Sequence, residues 1–141
     1  MSNSLLLDMV LALDSTNSLL KQNKVYIHPN IPMQKLQNAI DSYAKNVEPD
    51  DVMILLDDTL FGGAKDGLIL TNDTIYFKPN LEKKYFLKLK NIESISTQGL
   101  LNAVLIVNGE KFPGFTQIEK SSLNSFCDFL RPYLAIVNNS I

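Results

Sequence analysis

The sequence predicts an α+β domain: a bent antiparallel sheet of about seven short strands, closed by a C-terminal helix and preceded by two N-terminal helices. Two observations carry this reading. The apolar period switches from helical to strand-like at Val52 and back to helical after Thr116. Between those points, strand-length runs are joined by short turn signals, Asn72-Asp73 and Asn108-Gly109. A length of 141 residues suits one domain with a real core.

The first helical stretch spans Ser4 to Gln22. Leu5, Leu6, Met9, Leu13 and Leu20 recur at helical spacing, and Leu7, Val10, Leu11 and Leu19 widen the stripe. The cluster Asp14 to Ser18 is poor helix-forming material, so a weak middle or an early end is expected. Val25 to His28 reads as a short extended link. Pro32 suits the first position of a second helix, in which Met33, Leu36, Ile40 and Tyr43 share one face and which ends near Asn46.

The strands follow. Val52 to Leu56 is a short apolar run, and Gly67 to Thr71 and Thr74 to Lys78 flank Asn72-Asp73, which suits a primed hairpin turn. Tyr85, Leu87 and Leu89 alternate with Phe86, Lys88 and Lys90; Ile92 and Ile95 mark a further, irregular strand. Val104 to Val107, Asn108-Gly109 and Glu110 to Phe112 form the plainest hairpin, which Pro113 and Gly114 end.

Thr116 and Glu119 have capping-box spacing before the last helix. Leu123, Phe126, Cys127, Leu130, Leu134 and Val137 make its apolar stripe, which Pro132 is expected to kink or interrupt. Asn138 to Ser140 reads as a frayed end. Residues 1–46 are therefore expected as a helical segment packed on a domain of residues 47–141.

The string Asp57-Asp58-Thr59, Phe61-Gly62, Lys65-Asp66-Gly67 and Thr71 resembles the opening of bacterial pleckstrin-homology-like domains. The segment Tyr26 to Pro32 is similar to the leader those proteins carry. The resemblance covers about Val52 to Val137 and implies a bent seven-stranded sheet with a closing helix. It brings no catalytic residues. Eukaryotic relatives of the fold often bind inositol lipids through a basic first loop; here Thr59 to Asp66 holds a single base, Lys65.

A net charge of −2 gives the whole chain no pull on nucleic acid or anionic lipid. Leu5 to Leu13 lacks the basic start of a signal peptide and the length of a spanning helix, so a cytoplasmic protein is expected. The single cysteine, Cys127, cannot pair within the chain and fits a reducing compartment.

Sites of chemistry are scarce. Asp57 and Asp58 project to opposite faces of a strand and lack the spacing of a calcium loop, so with Thr59 they read as turn-forming groups. Gly62 to Gly67 lacks the Gly-Lys-Ser/Thr order of a phosphate loop. His28, the only histidine, has no readable partner for general-base work. Cys127 lies on an apolar stripe and reads as a small buried hydrophobe. No metal site and no cofactor are expected.

Two surfaces remain as candidates. Leu6, Val10 and Leu13 belong to a helix apolar nearly all round, which favours burial against another chain, in a symmetric dimer, or against the helix Met33 to Tyr43. Lys83, Lys84, Lys88 and Lys90, interleaved with Tyr85 and Phe86, form a lysine-rich strand. Lysines of this kind protect a sheet edge, or alternatively bind an anionic ligand or a lipid surface. The expected function is a non-enzymatic protein-interaction or regulatory module. The alternative is a module that binds a lipid or anionic ligand through the lysines.

Overall fold

The computed structural model describes residues 2–14, 16–100 and 102–138. Among them are three α-helices, α1 (Ser2–Leu11), α2 (Met33–Tyr43) and α3 (Lys120–Asn138). Eight strands are β1 (Val25–Ile27), β2 (Ile54–Asp57), β3 (Gly67–Leu70), β4 (Thr74–Lys78), β5 (Tyr85–Lys88), β6 (Ile95–Gln98), β7 (Val104–Val107) and β8 (Glu110–Lys111).

The expected α+β class and C-terminal helix are present; the one bent sheet of about seven strands is not. The strands form two antiparallel sheets, a five-stranded one in the order β1-β2-β3-β4-β5 and a three-stranded one in the order β6-β7-β8. The chain between β5 and β6 breaks the strand. Leu89–Asn91 makes a 3-10 turn, and the Asn108 side chain then holds the following residues by accepting Glu93 N–H at 2.7 Å and Ser94 N–H at 3.0 Å. Ile92 is therefore a core residue of a linker, not of a strand.

β1 is the strand the alternation did not reveal. Its three residues pair with Leu56, Leu55 and Ile54 and so extend the sheet beyond β2. The N-terminal residues are built into the sheet across the expected 46/47 boundary.

The five-stranded sheet is covered on both faces. Strand alternation sends Leu55 and Ile69 to one side, where α2 packs Leu36, Ala39, Ile40 and Tyr43 on them. Ile54, Leu56, Leu68, Leu70, Ile75 and Phe77 face the other side. There they meet the three-stranded sheet, α3 and α1 in one core. This explains why β2 and β3 are buried at every position and carry continuous apolar runs.

Other local expectations change for physical reasons. α1 stops at Leu11, and Asp14 accepts both the N–H and the hydroxyl of Thr16, the turn chemistry that replaces helix. A 3-10 turn at Ser18–Lys21 follows, with Asn17 accepting Leu19 N–H. α2 ends at Tyr43, and Met33 stands outside its buried face. Neither Asn72 nor Asp73 adopts positive φ, so the β3–β4 turn is not a primed one. Thr71 Oγ1 instead accepts Thr74 N–H at 3.1 Å, while Thr74 donates its hydroxyl to Asp73. The Asn108-Gly109 turn does have positive φ at both residues, 53° and 82°. α3 runs through Pro132 without interruption, because Pro132 and the Asp128 turn behind it lie on the exposed face. Asn138 is tied to the carbonyls of Leu89 and Ile92; Asn139 and Ser140, the rest of the expected frayed end, lie outside the described residues.

Candidate interaction site at the sheet edge

The helical surface expected from Leu6, Val10 and Leu13 is largely internal. Leu6 is fully buried, Val10 is nearly so, and both belong to the core that α3 and the sheets share. Leu13 is half-buried against the same core. α2 does not cover them, since it packs on the opposite face of the five-stranded sheet. Leu6 and Val10 are thus covered by the core of α3 and the two sheets, and not by α2, while Leu11 stays exposed.

The four lysines are all exposed but do not form one patch. Lys83 and Lys84 enter β5 at one end, and Lys88 and Lys90 leave it at the other, about 13 Å along the strand from Lys84 to Lys88. Lys88 and Lys90 border a cavity of about 380 Å³ with Asp73, Tyr133 and Asn138 at the C-terminal end of α3. Lys83 lies over the Tyr85 ring at 5.3 Å. Tyr85 in turn stacks on Phe77 with 5.1 Å between centroids, so the odd-numbered side of β5 is core.

The Asp57-Asp58-Thr59 corner is structural, and its two carboxylates do face opposite ways. Asp57 accepts Thr59 N–H at 2.8 Å and the Thr59 hydroxyl at 2.6 Å, and pairs with Lys35 of α2 at 3.1 Å. Asp58 accepts four backbone N–H groups: Asn80 at 2.8 Å, Thr116 at 3.1 Å, Gln117 at 2.6 Å and Ile118 at 2.9 Å. Thr116 therefore does not open a capping box, because its segment is held from β2 instead. In the glycine loop, Lys35 and Asn38 reach the carbonyls of Gly62 and Gly63, and Gly67 must be glycine because a Cβ there would stand 2.0 Å from the Leu56 carbonyl oxygen. Both Asp residues and the loop are committed to the fold.

His28 is half-buried and donates its backbone N–H to Met53. Cys127 is buried, and burial pushes its thiol up to about 12. Among the described residues no group of His, Cys, Asp and Glu is arranged to hold a metal ion, and no helix is long and apolar enough to cross a membrane.

What the even-numbered side of β5 offers is different. β5 has a ladder with β4 alone, so it is an edge of the five-stranded sheet. Leu89 N–H bonds back to Asp73, which fixes the alternation: Leu87 and Tyr85 turn their backbone groups toward β4, while Phe86 and Lys88 turn theirs outward. Phe86 lies opposite Tyr76 and is 64% exposed. Beside it, Tyr43, Tyr76, Lys45 and Lys84 border a groove of about 490 Å³ between the C-terminal end of α2 and the strand. The Tyr43 hydroxyl beneath is buried without a hydrogen-bond partner, and burial, with the carboxylates of Asp57, Asp66 and Asp58 behind it, raises its pKa well above the ordinary 10.0. The sequence pattern exposed Phe86 as the odd ring out of an alternating strand; it carried no sign of the groove, which α2 supplies. No family model, no curated protein and no solved structure matches this chain.

Proposed function

We propose that the protein is a non-enzymatic binding module that takes an extended segment of a protein partner along β5. The observation that carries this reading is the pairing of an open strand edge with an exposed Phe86 over an aromatic groove. An added strand satisfies the outward backbone groups of Phe86 and Lys88, and its alternate side chains enter the groove. Lys45 and Lys84 border the groove, so a partner segment with an acidic residue beside its apolar anchor is favoured there.

The meander β2 to β5, the second sheet and the α3 cover support reading the domain as pleckstrin-homology-like, with β1 and α2 as additions. A reducing cytoplasmic setting suits its lone, buried thiol. The lysine-rich alternative loses support because the lysines separate to the two ends of β5.

Selection from a displayed library of random peptides tests the proposal. Enriched sequences should carry an aromatic or aliphatic anchor flanked by Asp or Glu. Phe86→Ala should weaken their binding, and so should Lys88→Pro, which removes an outward N–H while sparing the ladder to β4. Failure to enrich any sequence, or binding untouched by both substitutions, would reject the β5 site.

A further inference from the structure

We propose that β5 also pairs with β5 of a second copy of this chain, joining two five-stranded sheets edge to edge across a two-fold axis. The proposal rests on the reading of β5 as an acceptor edge and names the chain itself as an occupant.

The backbone alternation limits how two such edges can meet. Phe86 and Lys88 turn their N–H and C=O groups outward, and the same alternation carried back along the chain adds Lys84. Two antiparallel copies therefore set even-numbered residues against even-numbered ones, and one register differs from the next by a slip of two residues. A pairing centred on Phe86 puts Lys84 opposite Lys88. One centred on Leu87 puts Lys84 opposite Lys90, and one centred on Lys84 puts that residue opposite its own copy. Like charges directly opposite each other disfavour all three.

The pairing centred on Tyr85 opposes no lysine to another. It places Lys84 over Phe86 of the second copy and brings Glu82 to its Lys88, each contact occurring twice. All four side chains are exposed, and Phe86 presents 64% of its surface. A lysine on an aromatic face and a carboxylate beside an ammonium are both attractive cross-strand contacts. The lysines that forbid the other registers thus select this one.

Two further features meet in the same register. Leu81 stands 89% exposed in the β4–β5 loop, and the cavity of about 380 Å³ opens beside Leu89 and Tyr133 at the other end of the strand. The pairing brings the loop of each copy to that cavity of the other. It also covers Phe86, so the dimer shields the acceptor edge until a partner segment displaces one copy.

The opposite edge of the sheet explains why the assembly stops at two. Lys24 and His28 bond to β2, so Val25 and Ile27 of β1 turn outward. The chain then folds back across that edge: Asn30 donates to the Ile27 carbonyl at 2.8 Å, and Pro29 has no N–H to offer a further strand. With β1 closed, a two-fold pairing uses up the open edge of each sheet.

Sedimentation of the full chain from micromolar to near-millimolar concentration tests this. The wild type should pass from monomer to dimer and go no further. Glu82→Lys should weaken the dimer by about tenfold or more, because two attractive contacts become two repulsive ones, and Lys88→Glu should do the same. The double variant Glu82→Lys/Lys88→Glu should restore it. Both side chains are exposed, so circular dichroism should show every variant folded. A wild-type monomer throughout, growth beyond the dimer, a dimer indifferent to both single substitutions, or no recovery in the double variant would each overturn the proposal. A monomer that still binds selected peptides along β5 would overturn the self-pairing and leave the partner reading standing, which separates the two failures.

Discussion

Asp58, the residue after β2, accepts the backbone N–H of Gln117 at 2.6 Å, so a carboxylate from the first half of the chain fixes the segment that leads into the final helix. Three further N–H groups converge on the same buried side chain. Asp58→Ala should leave these donors without an acceptor and destabilise the fold by about 3–5 kcal/mol. Asp58→Asn should recover only part of that, because its amide presents N–H to N–H. Urea denaturation of both variants measures the difference, and a loss below about 1 kcal/mol for Asp58→Ala would show that water replaces the carboxylate.

Phe126 is fully buried where α3 covers both sheets. Phe126→Ala should cost about 3–5 kcal/mol by the same measurement.

Leu6→Asp separates an internal from an intermolecular role for α1. With Leu6 in the core, a buried carboxylate should destabilise the chain by more than about 2 kcal/mol and leave the sedimenting mass of the folded fraction unchanged. A halved mass at unaltered stability would instead return this residue to a dimer interface.

Stability should fall as pH rises above about 9. The Cys127 thiol is raised from its ordinary 9.0 to about 12 by burial, and Tyr43 is raised above 10.0 in the same way. The native state therefore keeps protons that the unfolded chain releases, and their contribution is full below pH 9 and declines above it. Cys127→Ala should flatten the first part of that decline in denaturation curves taken across the range. The same burial means that a thiol reagent should label native protein far more slowly than unfolded protein.

Much of the fold was legible where local chemistry decides it. The Asn108-Gly109 hairpin and the α3 stripe follow from turn geometry and helical period alone. The placement of α1 did not, because an all-round apolar helix is equally suited to a core shared by two sheets and to another chain. β1 was hidden by its length: three residues show no alternation, and their pairing with β2 is a long-range event. The lysine cluster was legible as composition but not as geometry, since a strand spreads consecutive charges along its length. Asp58 could be read as a turn residue, yet its donors lie in segments the sequence places far away. The groove at Phe86 needed α2 in position beside the edge.

The pairing of β1 with β2 also bears on how the chain is made. β2 is buried on both faces, and without β1 its outer edge would be a bare apolar template for other chains. Synthesis runs from the N-terminus, so the guard leaves the ribosome before the strand it guards. This fully buried strand of the nascent protein is born with its edge partner already waiting.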